Sequence, residues 1–77
     1  MTARLTLITR IGCHLCEAAE DLLAIHAPSC RLVDVDADDE LREAFGLRVP
    51  VLVDGDTVLL EGRITEPDLL RLLASPN

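Results

Sequence analysis

Lysine, tryptophan and tyrosine are absent from this 77-residue sequence, and Phe45 is its one aromatic residue. Packing must therefore come from Leu, Val, Ile and Ala, within a hydrophobic fraction of 49% that is enough for a well-ordered core in one small domain. Basic charge rests on seven arginines against fourteen acidic residues, a net charge of −7 that argues against nucleic-acid backbones or anionic lipid as partners. No stretch approaches the roughly 18 apolar residues needed to span a bilayer. Met1 to Ile8 holds no secretory apolar segment, so the expected location is the cytoplasm and the expected state a monomer. Repeats, linkers and low-complexity tracts are also missing, and only Ser75-Pro76-Asn77 reads as a frayed end. Three cysteines is an odd count, whereas a secreted disulfide scaffold of this size carries an even set of about four or more. The cysteines point to chemistry rather than to cross-links.

Two of them, in Cys13-His14-Leu15-Cys16, stand one helical turn apart, just after the aliphatic and β-branched run Leu5-Thr6-Leu7-Ile8-Thr9. A strand that ends at Arg10-Ile11-Gly12 and hands over to a helix at Cys13 puts that sulfur among backbone N–H groups without partners. The partial positive charge there favours thiolate over thiol. A CxxC pair in a βαβ pattern signals thiol–disulfide exchange, which needs one accessible thiolate and a second thiol close enough to resolve the mixed disulfide. Cys13, at the helix start, suits the attack; Cys16, one turn inside, suits the resolution. Arg10 and His14 bring positive charge nearby, although His14 also reads as a solvated surface residue.

Apolar residues at helical spacing, Leu15, Ala18, Ala19 and Leu22, predict a helix to about His26, closed by Pro28. Arg31 to Asp36 alternates like a strand, and its connection to the first strand through a helix predicts a parallel, right-handed βαβ unit. Asp36 or Asp38 then caps a short helix, with Asp39 and Glu40 in its first turn and Gly46 at an expected left-handed stop. Val51 to Val53 and Thr57 to Leu60 flank Asp54-Gly55-Asp56, a hairpin signal. Thr65 can cap a last helix that has Pro67 and Asp68 in its first turn, an Ile64 to Leu69 staple, and Leu69, Leu70, Leu72 and Leu73 inward. The fold class is α/β with order β-α-β-α-β-β-α.

A structural zinc site is the main rival, since Cys13, Cys16, His26 and Cys30 form a C-x2-C-x9-H-x3-C series. In a continuous helix, Cys16 and His26 lie about 15 Å apart along the axis. Cys30 begins the second strand, at the opposite end of a parallel pair from Cys13. It reads as a small packing residue, and His26 as a helix C-terminal cation.

Assembled, these residues resemble a small glutaredoxin-like protein of the thioredoxin fold, over Leu5 to Leu73. The resemblance rests on Cys13 and Cys16 after the first strand, Val49-Pro50 before the third, and Gly62 after the fourth. It implies a three-layer fold with a four-stranded mixed sheet, and a cis Pro50 packed beside the sulfurs. It further implies that the Val49 backbone pairs with the bound thiol peptide as an added strand, and that Arg10 occupies the place of the basic residue that meets a glutathione carboxylate. Glutaredoxins usually carry Cys-Pro-Tyr-Cys, Thr-Val-Pro and Gly-Gly followed by Asp. Here His14-Leu15, Arg48 and Glu61-Gly62-Arg63 stand instead, so Glu61 brings negative charge where a glutathione carboxylate docks, with Arg48 and Arg63 to compensate.

The expected activity is cytoplasmic thiol–disulfide oxidoreduction, with Cys13 and Cys16 as catalytic residues and Arg10, His14, Arg48, Val49, Pro50 and Gly62 binding substrate. No metal or organic cofactor is expected, with glutathione a possible co-substrate. The partners implied are a disulfide-containing protein or glutathione mixed disulfide, and a reductase or glutathione as electron donor. A different class, a non-catalytic thioredoxin-like binding module or a holder of an iron–sulfur cluster or metal through Cys13 between two subunits, is the alternative.

Overall fold

Leu5 to Thr9 is apolar on both faces because both of its faces are covered. In the structure of the protein, a computed structural model that describes residues 4–74, this strand, β1 (Leu5–Thr9), lies inside the sheet. It pairs in parallel with β2 (Arg31–Asp34) and antiparallel with β3 (Val51–Asp54), and β4 (Thr57–Glu61) completes the order β2-β1-β3-β4. Successive side chains point to opposite faces. Leu5 and Leu7 pack with Ala19 and Leu23 of α1 (His14–His26) and Leu69 of α3 (Glu66–Ala74). Ile8 packs on the other face with Val35, Val51 and Val53, against Leu41 and Phe45 of α2 (Asp39–Phe45). The chain is therefore three layers in the expected order β-α-β-α-β-β-α. The frayed end expected at Ser75-Pro76-Asn77 falls outside the described residues.

Several local expectations are corrected. β2 stops at Asp34 rather than Asp36, because the Asp34 carboxylate accepts from the Asp36 N–H at 2.9 Å and turns the chain into a 3₁₀ turn at Val35–Ala37 that buries Val35. Asp38 caps α2, accepting from the Glu40 N–H at 2.8 Å, which leaves Asp36 for another partner. Gly46 is right-handed, with φ −56°, not a left-handed stop. Glycine is needed there for space: a Cβ would lie 2.5 Å from the Arg42 carbonyl oxygen.

The hairpin loop is Gly55-Asp56, and a register shift opposite Leu52 and Val53 leaves Leu59 as the extra residue on β4. Thr65 does accept from the Asp68 N–H, at 3.3 Å, and Ile64 is buried in the same cluster as Leu69. The inner face of α3 is narrower than expected, since Leu70 and Leu73 are exposed. His26 is more than a helix-end cation: its Nε2 lies 2.7 Å from Glu66 Oε2 and ties the end of α1 to the start of α3.

Leu52 is fully buried between Leu7 and Leu60 in register, so Leu52→Ala should lower the unfolding free energy by about 2–5 kcal/mol. Leu47→Ala, at a fully exposed position, should change it by less than about 0.5 kcal/mol. Urea denaturation of the two variants checks the contrast.

Candidate active site

Gly12, at φ +82°, makes the turn that carries the chain from β1 into α1. Cys13 then sits at the helix N-cap in an extended conformation, φ −101° and ψ 118°. Its Sγ accepts a hydrogen bond from the Cys16 N–H at 3.2 Å, and its carbonyl accepts from the Glu17 N–H at 2.9 Å. The half-buried Cys13 sulfur thus occupies the place of a capping oxygen, held by one of the amides that a helix start leaves unpaired. Cys16 is fully buried behind it. Burial pushes the Cys16 thiol up and a hydrogen bond to Cys13 adds to this, while the Thr9 hydroxyl and the Arg10 backbone pull the other way. All three cysteines are free thiols, and burial also raises Cys30, which packs against the α1 side of the core.

The sheet brings the second strand pair to the same end. Ile8 is in register with Val51, so the end of β1 that leads to Thr9 and Arg10 lies beside the start of β3, where Val49-Pro50 enters. The Val49–Pro50 bond is cis, as the resemblance implied, and Pro50 is fully buried. The Pro50 carbonyl accepts from the N–H of Gly62, which has φ +73° at the end of β4, at 2.8 Å. Among the described residues, nothing pairs with the Val49 N–H or carbonyl.

The two arginines expected to bind substrate are engaged within the chain. Arg10 forks onto Asp36, Nε to Oδ2 at 2.8 Å and Nη2 to Oδ1 at 3.0 Å, and its Nη1 donates to the Gly46 carbonyl at 2.8 Å. Arg10 holds the Asp36 carboxyl below its usual range, and its own pKa is raised chiefly by Asp36, with the Cys16 and Cys13 sulfurs contributing. Arg48 donates twice to Glu61 Oε1, at 2.9 and 2.6 Å, and lies 5.0 Å from the Phe45 ring centroid in a cation–π contact. His14 is fully exposed, with Nδ1 4.0 Å from Glu17 Oε1, which places it in solvent beside that carboxylate.

Thr9, Glu20, Asp36 and Gly46 are residues of this site that sequence reasoning missed. Thr9 donates from its hydroxyl to Glu20 Oε2 at 2.6 Å. Glu20 follows Cys16 by four residues, a helical spacing that could have signalled a shared face. Asp36 could be found only from the strand register. The zinc series is not assembled: His26 is at the far end of α1 on Glu66, and among the described residues no group of three or more His, Cys, Asp or Glu side chains is placed to hold a metal ion.

The family model described as Glutaredoxin-like domain (DUF836) matches residues 4–74. The chain belongs to this family. The glutaredoxin-like protein is also similar to a structural-genomics target protein from X. campestris, known from an X-ray structure. The two are 42% identical with a TM-score of 0.78, covering 94% of this chain and 99% of that one. A structure described as a malarial protein shares the fold at 20% identity and a TM-score of 0.56, covering 95% of this chain and 94% of that one. No curated protein sequence matches. The four-stranded mixed sheet with its three helices is the thioredoxin-like fold.

Because Cys13 is partly accessible while Cys16 is buried with a raised thiol, iodoacetamide at neutral pH should modify Cys13 well before Cys16. Cys16 should react only as pH rises past the ordinary thiol range. Mass mapping of the alkylated peptides reads both rates, and equal rates across the pH range would sink the distinction.

The depressed Asp36 carboxyl gives the Arg10 pair a stabilising contribution that is complete above the ordinary aspartate value of 3.8 and lost as pH falls through the lower folded value. A carboxyl NMR titration should place Asp36 below 3.8 in the wild type and move it upward in Arg10→Gln. An unmoved midpoint would show that Arg10 is not the cause.

Proposed function

We propose that this glutaredoxin-like protein is a dithiol oxidoreductase that reduces disulfides in extended protein segments. The observation that carries the reading is the Cys13 sulfur held at the N-cap by the Cys16 N–H, with the Cys16 side chain buried directly behind. In the reaction, the Cys13 thiolate attacks one sulfur of the substrate disulfide, and the other sulfur leaves as a thiolate. Cys16 then loses its proton and attacks Cys13 Sγ. The Cys13–substrate bond breaks, the second substrate thiolate leaves, and a Cys13–Cys16 disulfide remains. A protein reductase or glutathione in a reducing compartment restores the dithiol.

The surroundings favour a polypeptide over a glutathione mixed disulfide. The free Val49 N–H and carbonyl beside cis Pro50 suit pairing with an extended segment. Ile11 and Leu47 are exposed apolar residues joined through the Arg10 contact to Gly46, and Leu15 is exposed inside the motif. Glutathione presents two carboxylates, and both Arg10 and Arg48 already hold carboxylates, so pairing with either arginine has to displace Asp36 or Glu61. Arg63, exposed after Gly62, is the guanidinium near this end without a carboxylate partner among the described residues.

Reductase-coupled assays on an apolar-rich unfolded polypeptide disulfide and on a glutathione mixed disulfide test the reading. The polypeptide should show the higher kcat/KM, and Glu61→Ala, which releases Arg48, should raise kcat/KM for the glutathione substrate roughly two- to fivefold. Cys13→Ser should abolish turnover of both, Cys16→Ser should keep a monothiol route with the small substrate, and Cys30→Ser should alter neither. Substantial activity in Cys13→Ser would defeat the assignment.

A further inference from the structure

Among the described residues, every hydrogen bond of Arg10 is made within the chain. Nε and Nη2 fork onto the Asp36 carboxylate at 2.8 and 3.0 Å, and Nη1 donates to the Gly46 carbonyl at 2.8 Å. Asp36 is fixed in turn, since its N–H donates to the Asp34 carboxylate at 2.9 Å and its carbonyl accepts from Arg42 Nη1 at 3.4 Å. The Gly46 carbonyl stands at the end of α2, where a helix leaves carbonyls without backbone donors and where positive charge is favoured. Arg10 therefore joins the turn that leads into Cys13 to the exit of β2 and to the end of α2.

From Gly46 the chain runs through Leu47 and Arg48 to Val49, whose N–H and carbonyl have no partner among the described residues. The far side of this loop is fastened as well. Arg48 donates to Glu61 Oε1 at 2.9 and 2.6 Å, and the Pro50 carbonyl accepts from the Gly62 N–H at 2.8 Å. Val49 is thus an open backbone edge between two fastenings, and Arg10 supplies the one on the side of Cys13.

We infer that Arg10 is a positioning residue that holds the Val49 edge at a fixed spacing from the Cys13 turn, with Asp36 keeping its guanidinium on Gly46. The inference rests on the dithiol reading above and gives it a source of selectivity. It also departs from the carboxylate-binding role that the resemblance implied for Arg10. A polypeptide that pairs with Val49 while presenting its disulfide to Cys13 must satisfy both contacts at one spacing, so slack between the two segments weakens its productive binding. A small disulfide meets the sulfur alone and is indifferent to that slack. Charge without shape is not enough, because a lysine ammonium is a single point and cannot reach Asp36 and Gly46 as a planar fork does.

Steady-state kinetics on a disulfide-containing extended peptide and on a small aromatic disulfide test the inference. Arg10→Lys, Arg10→Gln and Asp36→Ala should each raise the ratio of the two KM values, peptide over small disulfide, by roughly tenfold. Arg10→Lys retains the positive charge, so its Cys13 thiolate titration, followed by ultraviolet absorbance, should stay close to that of the wild type while its KM ratio rises. The wild type supplies an arm that needs no variant to fold: N-methylation of the peptide beside its cysteine removes a donor for the Val49 carbonyl and should raise KM. In the variants that N-methyl effect should shrink, because the pairing is already weakened. An unaltered KM ratio in Arg10→Lys and Asp36→Ala, no N-methyl effect in the wild type, or an N-methyl effect as large in the variants as in the wild type would overturn the positioning role while leaving the dithiol reading intact. So would a KM increase in Arg10→Gln confined to a glutathione mixed disulfide, which would mark Arg10 as a carboxylate-binding residue. A wild type that reduces neither the peptide nor the small disulfide would overturn the dithiol reading and the inference with it.

Discussion

The pairing of β1 with β2 on one side and β3 on the other, parallel in one case and antiparallel in the other, governs everything at the candidate site. Parallel pairing sends β1 and β2 toward the same end of the sheet, where β3 begins and β4 finishes. At that end Thr9 and Arg10 lead into Gly12 and Cys13, Asp34 leads into Asp36, Val49-Pro50 leads into Val51, and Gly62 closes back on Pro50. Shifting β1 by one residue would exchange the side chains that face α1 and α3 with those that face α2, and break the Arg10–Asp36 and Thr9–Glu20 contacts. The core thus enforces the register, and the register assembles the site.

Charge is arranged with a similar economy. An acidic chain would repel a thiolate, yet the helix start supplies an amide to the Cys13 sulfur, and Arg10 stands nearby with Asp36 and Gly46 holding it in place. The same pairing spends the positive charge of Arg10, as Glu61 spends that of Arg48. Ile11, Leu15 and Leu47 are exposed apolar side chains on the segments that carry these groups. An extended, uncharged partner matches such a surface better than a small peptide with two carboxylates does.

The hydrophobic pattern made the strands, the helices and their order legible because each element carries its own periodicity and its own punctuation. The Cys13–Cys16 spacing and Val49-Pro50 are local in the same way. Where the reading failed, a distant group had intervened. Gly46 has the sequence position of a left-handed stop, but the close approach of the Arg42 carbonyl is what calls for glycine there. Asp36 reads along the chain as a helix cap, although its partner is Arg10, twenty-six residues earlier.

The sequence by itself determined the α/β order, the apolar faces, the two thiols one turn apart and the glutaredoxin-like resemblance, since all of these follow from short-range spacing along the chain. Only the tertiary structure decided which charges meet and which sulfur is buried. Those facts depend on contacts between residues far apart in the chain, set by how strands register and helices cover them. Thr9 shows the difference most directly: along the chain it is one more β-branched residue in a strand, and only the packing of α1 across β1 brings the Glu20 carboxylate to its hydroxyl.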